Sequence, residues 1–366
     1  MEIHKTRNFP LQDILKIFKN GLPSLLAIAL FEIVSIQIYN LPNDGYIFIG
    51  WILSLALSGL YLGFLSDYFS RKAAIFFTLI SGFILLTTIN FYGASFLLIL
   101  LLGLTFNPIP IARASIIDNF PHMSKVQLIA VTFIAQFLPW CFFYYLTDIP
   151  RNLLTKIVLP YILINLLAFV FFRDNRNIKT HIFDIRTIVH KGSKSKVYLT
   201  LFALFFGQVV FFLSDTFLEF HPSHYKLYSS LGVGSLIGTC LALLYRKIPH
   251  LSVLTLAYGM GILFSIVPLF SVISFSINTL DPSYQTMLVA NLGGFYLPFV
   301  YDAILSFTSP NFRGTLCGVI ELLISAASVI SLLLFKTIGG SNIYLFTFII
   351  GLFTISMFSQ RMAEKE

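Results

Sequence analysis

Residues 63–72 read Gly63-Phe64-Leu65-Ser66-Asp67-Tyr68-Phe69-Ser70-Arg71-Lys72, a charged stretch set between two long apolar runs. The flanking runs, 46–65 and 73–91, each have close to the ~20 residues needed to cross a hydrocarbon core of about 30 Å. One carboxylate and two cations are costly inside lipid, so the stretch marks a place where the chain leaves the membrane and turns back. Gly63 lets two helix backbones approach closely there. Asp67 suits a position facing a helix N-terminus, and Arg71 and Lys72 hold the turn on the cytoplasmic side.

The same reading extends outward along the chain. Of 366 residues, 57% are hydrophobic and only 11% charged, and 40 are phenylalanine. A soluble domain carries about 25% charged residues, so the solvent for this surface is lipid. The expected fold is an all-α integral membrane protein of about twelve transmembrane helices. The spans fall at 21–39, 46–65, 73–91, 96–117, 125–146, 153–172, 197–218, 227–245, 251–275, 286–307, 314–335 and 341–359. With that assignment 20 of the 24 Lys and Arg residues lie on one side and 4 on the other. By the positive-inside rule this puts both termini in the cytoplasm. The net charge of +8 therefore reflects topology, and no nucleic acid partner is expected.

The longest connection, 173–196, carries seven basic residues and divides the spans six and six. Ile178, Ile182, Ile185 and Val189 share one helical face, which suits a helix on the inner membrane surface or else a disordered basic linker. The expected organisation is a cytoplasmic segment 1–20, a first half 21–172, the linker 173–196, a second half 197–359 and a tail 360–366. Phe9, Ile14, Ile17 and Phe18 suit a short interfacial helix in the first segment. A shift of 189 residues brings Pro121 onto Pro310 and Arg113 onto Asp302. Two pseudo-symmetric six-helix halves are a transporter pattern, because they can rock about a site at the midplane.

The stretch at Gly63–Lys72 resembles the cytoplasmic loop motif of the major facilitator superfamily, and it stands at the exit of span two in a six-plus-six chain. The resemblance implies a secondary transporter. It also implies that Asp67 bridges to the start of span eleven near Gly314 and Thr315, and that Arg71 pairs with Asp118. Together they would latch the cytoplasmic side shut. The sequence departs from the family at Gly238–Lys247, which lacks the acid. It also lacks the antiporter signature in span five, where it reads Ala135-Gln136-Phe137-Leu138-Pro139-Trp140.

Ionisable groups within spans mark pathways. Glu32, Arg113, Asp215 and Asp302 occupy spans one, four, seven and ten, the cavity-lining helices in the superfamily. Glu32 lies near the bilayer middle, where desolvation favours the uncharged carboxyl, and is the candidate for proton coupling or for binding a cationic solute. Arg113 and Asp302, at matching depths, are expected to pair as a gate, or Arg113 to bind an anionic solute. Glu321, near the cytoplasmic end of span eleven, is assigned to the motif loop with Asp118. Gln136 and Asn291 are candidate cavity contacts. Asp215 and Glu219 share a helical face near the outer end of span seven. His221 and His224 make a poor metal site.

The favoured function is uptake of a small polar solute by proton symport, with no cofactor beyond the proton gradient. Export of a drug-like compound or siderophore is the alternative, and a non-transporting sensor is another. No HExxH, GxSxG or nucleotide-binding glycine loop points to an enzyme. The expected setting is a monomer in a bacterial inner membrane, its partners a small-molecule solute and the lipid bilayer.

Overall fold

The computed structural model describes residues 11–39, 45–148, 151–170, 194–219, 224–244 and 282–338, with isolated positions at 349 and 356. Among the described residues, twelve α-helices build the molecule: α1 (Leu11–Tyr39), α2 (Gly45–Tyr68), α3 (Arg71–Tyr92), α4 (Phe96–Thr105), α5 (Ile109–Asn119), α6 (Lys125–Cys141), α7 (Phe143–Asp148), α8 (Arg151–Val170), α9 (Lys194–Glu219), α10 (His224–Leu243), α11 (Pro282–Ser306) and α12 (Arg313–Ile338). Among the described residues, seven spans are long and apolar enough to cross a membrane, and three shorter apolar stretches lie in α6, α8 and α9. Those ten match ten of the twelve expected spans. The ninth (251–275) and twelfth (341–359), with most of the linker, lie outside the described residues.

Two spans are broken, each at proline. The expected span 96–117 divides at Asn107–Pro108, where α4 closes with Phe106 N donating to Leu102 O at 2.8 Å and α5 restarts with Pro110 in its first turn. Proline lacks the N–H a helix interior needs but fits the first turn, where that donor has no partner to lose. Pro139 precedes the second break, between α6 and α7. The first span runs the other way: α1 is continuous from Leu11 through Pro23. From Leu11 on, the stretch expected as a separate interfacial helix is therefore the first turns of the span itself.

Large apolar side chains face outward along these helices, among them Leu57, Ile84, Leu167 and Leu288. A soluble protein seldom exposes so broad an apolar belt, and lipid is the solvent that suits it. The chain is an integral membrane protein. Its principal helix pairs across the molecule are α2 with α12 and α6 with α10, while α10 also packs on α11 and α9 on α12. These contacts close the bundle around a central cavity of about 210 Å³ walled by α1, α2 and α6 on one side and α9 to α12 on the other.

Candidate functional site

The loop motif forms one cluster, at the end of the molecule where α2 meets α3. Only Phe69 and Ser70 separate the two helices, and Ser70 caps α3 by accepting from Ala73 N at 2.9 Å. Gly63 crosses Gly314 so closely that a Cβ on either residue would overlap the other's carbonyl. That approach brings the first turn of α12 onto Asp67. One carboxylate oxygen of Asp67 accepts from Gly314 N at 3.0 Å, and the other accepts from Thr315 N at 2.6 Å and Thr315 Oγ1 at 2.7 Å. The carboxylate thus meets backbone donors that an isolated helix start leaves unpaired.

Arg71, buried, ties the cluster together. It lies 2.6 Å from Asp67 Oδ1 and 3.2 Å from Asp118 Oδ2, and donates to Ser66 Oγ at 2.5 Å. Asp118 in turn receives Arg313 at 2.6 Å, from the start of α12. Lys72, partly buried, stands beside Arg71 in the first turn of α3. The cluster joins α2, α3 and α5 to α12 and forms a latch. Ser66 and Arg313 are members that the motif reading did not single out.

A second buried network lies deeper, against the cavity. Arg113 is fully buried. Its Nε donates to Thr132 Oγ1 at 3.2 Å, one terminal nitrogen to Tyr301 Oη at 2.6 Å and to Glu321 Oε1, and the other to Gln136 Oε1. The guanidinium lies 4.0 Å from the Phe133 ring centroid and 4.9 Å from that of Tyr301, within the range of cation–π attraction. Tyr301 also donates to Glu321, at 2.6 Å. Glu321 therefore belongs to this network and not to the motif loop. It sits six residues past Thr315 along α12, about 9 Å at 1.5 Å per residue.

The expected pairing of Arg113 with Asp302 is not what the structure holds. Asp302 accepts from Ser306 at 3.2 Å and feels the charge of Lys125. Successive residues on a helix point about 100° apart, so the neighbour that faces Arg113 is Tyr301. Asn291 is also placed elsewhere. Its carbonyl lies against Gly238, where α10 and α11 come into close contact, and it does not line the cavity. Asp215 lies in α9, but its side chain, with those of Glu219 and His224, lies outside the described residues, as does His221 altogether.

Glu32 does line the cavity, buried on α1. It accepts from Trp140 Nε1 at 2.9 Å and also meets the Gln136 side chain. Gln136 therefore stands between Glu32 and Arg113, linking α1 to α5 and, through Glu321 and Tyr301, to α12 and α11. Two carboxylates and one guanidinium stand in this network. Arg113 pairs directly with Glu321, whereas both partners of Glu32 are neutral. Glu32 is thus the carboxyl of this network with no cation bonded to it among the described residues, and a proton or a cationic ligand there would neutralise the site.

The sequence matches no protein-family model and no curated protein. Solved structures do resemble it. The human organic anion transporter MFSD10 (TETRAN) aligns with a TM-score of 0.76 at 13% identity, covering 93% of this chain and 99% of that one. The major facilitator transporter FucP in its outward conformation aligns with a TM-score of 0.65 at 13% identity, covering 93% and 97%. An auto-inhibited peptide transporter of the POT family aligns with a TM-score of 0.61 at 12% identity, covering 98% and 97%.

Proposed function

We propose that this chain, whose fold is that of the major facilitator transporters, is a secondary active transporter working by alternating access with a proton carried at Glu32. The observation that carries the reading is the cavity itself. Helices from both ends of the chain wall it, the latch closes the bundle at one end, and it holds one carboxyl paired only to neutral donors. Two halves (21–172 and 197–359) would rock about that cavity, breaking Asp67 from Thr315 and Asp118 from Arg313 when the latch end opens. The latch end would face the cytoplasm of a bacterial cell, in keeping with the Lys and Arg asymmetry of the sequence.

The sequence favoured uptake of a small polar solute. The cavity wall, rich in Phe, Trp and Tyr side chains, supports instead a solute with an apolar body and few polar groups, as in the drug-like alternative. Flux in proteoliposomes under an imposed pH gradient tests the proposal. Solute movement that follows the proton gradient, and that Glu32→Gln uncouples, is the expected result. Binding without flux for every solute class tried would point to a sensor and sink it.

A further inference from the structure

Three residues that line the cavity each carry a buried polar atom with no hydrogen-bond partner among the described residues: Trp51 Nε1, Asn107 Oδ1 and Gln208 Nε2. Their residues are 0%, 4% and 3% exposed. A buried donor or acceptor left unmade costs about 1–3 kcal/mol, and most are satisfied. Three such atoms in the lining of one cavity, two from the first half of the chain and one from α9, point to a ligand that completes them. The orientation of Asn107 is fixed by its own bonds. Its Nδ2 donates to Ser58 Oγ at 3.0 Å and Leu55 O at 3.4 Å, so a flipped amide would set two acceptors face to face. The wall thus offers two donors, Trp51 N–H and Gln208 N–H, and two acceptors, the Asn107 carbonyl and the Glu32 carboxylate.

Charge decides which kind of ligand fits. The guanidinium of Arg113 is already held by Glu321, Tyr301, Gln136 and Thr132 and by two ring faces. An anion entering the cavity would have to displace those bonds. Glu32 receives only neutral donors and keeps lone pairs for another. The walls between are aromatic: Phe31, Phe133, Phe137, Phe211 and Phe212 line the space beside Trp51 and Trp140. Ring faces favour cations. A dry cavity of about 150 Å³ holds benzene, so about 210 Å³ suits one ring and a short arm.

We infer that the cavity binds a small amphipathic organic cation, its ammonium received by Glu32, its apolar body by the aromatic walls and its other polar group by the unmet groups of Asn107, Trp51 and Gln208. The inference rests on the transport reading and sharpens it. Ammonium and proton share one carboxylate, so loading the cation releases the proton and the two are exchanged. No bond is made or broken in the solute.

Calorimetry on the purified full chain in nanodiscs, with no gradient present, tests the site. The probes are tyramine, the neutral 4-ethylphenol and the anionic 4-hydroxyphenylacetate, which share one phenol ring. Tyramine binds tightest and releases a proton, read from its heat in buffers of different ionisation enthalpy. Glu32→Gln weakens tyramine about 10- to 100-fold and 4-ethylphenol no more than about twofold. Trp51→Phe, which keeps the ring, and Gln208→Leu each cost about 2- to 10-fold. Should Glu32→Gln not fold, the native chain serves: tyramine affinity falls as the pH is lowered while that of 4-ethylphenol holds. Tightest binding of the anion, or tyramine binding indifferent to both Glu32 and pH, overturns the inference. Tyramine bound with no flux of any solute class would refute the transport reading and leave the site standing. Flux of another solute without cation binding would do the reverse.

Discussion

The latch and the cavity network use the same two helices, α5 and α12, in opposite ways. At the latch, Asp118 on α5 meets Arg313 on α12, beside a carboxylate bound to backbone amides. About 5 residues away along α5 (roughly 7 Å at 1.5 Å per residue), Arg113 meets Glu321, both buried, at the edge of the cavity. The latch stands at the end of the bundle, where water can take over each bond as it breaks. Its outer pair, Arg313 with Asp118, can therefore separate and rejoin at modest cost, whereas Arg71 and Asp67 beside it are as buried as the inner pair. The inner network borders the cavity, and breaking one of its pairs strands a charge that only water or a ligand in that cavity can meet. One cluster is suited to opening, and the other holds its helices together or changes only when a proton or ligand enters.

That contrast can be broken by mutation, most severely inside. Arg113→Ala leaves Glu321 buried without its cation and is expected to cost about 3–5 kcal/mol, read as a fall in the thermal unfolding midpoint of the detergent-solubilised chain. Replacing both partners, Arg113→Met with Glu321→Met, should recover most of that loss. A double variant as unstable as the single one would show that Arg113 matters through its other partners. Next in size is Gly63→Val, which forces a side chain into the Gly314 carbonyl and should cost about 1–3 kcal/mol by separating α2 from α12. Unchanged stability would mean that the crossing is looser than the structure holds.

The latch itself should yield effects no larger than this, with a different signature. Asp67→Ala removes the acceptor for Gly314 and Thr315 and the carboxylate paired with buried Arg71, and should destabilise the chain by about 1–3 kcal/mol, mainly by opening that end. Cys317, buried one turn beyond Gly314, is the reporter. With Cys141 and Cys240 replaced by alanine, its alkylation should speed up in Asp67→Ala and remain slow in the parent, and equal rates would argue against a latch. Smallest is Thr315→Val, which deletes a single bond to Asp67 and keeps the backbone donor. It should cost about 0.5–1.5 kcal/mol and raise Cys317 alkylation less than Asp67→Ala does.

The two clusters also differ in how far they could be read from sequence. The latch centres on one contiguous stretch, so Asp67 and Arg71 announce themselves by spacing and by position at a membrane exit. The inner network has no such stretch: Glu32, Arg113, Gln136, Tyr301 and Glu321 come from five helices. Depth along the bilayer suggested pairing Arg113 with Asp302, because hydropathy gives height in the membrane but not which way a side chain turns about its helix. One residue of rotation made Tyr301 the partner. Trp51 and Gln208 gave no signal either, since a tryptophan or glutamine in a span is ordinary until its unmet hydrogen bond is seen. The membrane spans were legible because apolar length is a local property, and their two breaks could be traced to Pro108, Pro110 and Pro139.

The central claim is that the latch opens and closes as the halves rock about the cavity. Spin labels at Phe69 and Asn311, both exposed at the latch end, report it directly by pulsed electron resonance in a reconstituted bilayer. The account predicts two distance populations, a shorter one for the closed latch and a longer one, with Asp67→Ala shifting weight to the longer. A single short distance, unchanged by Asp67→Ala and by pH, would contradict it.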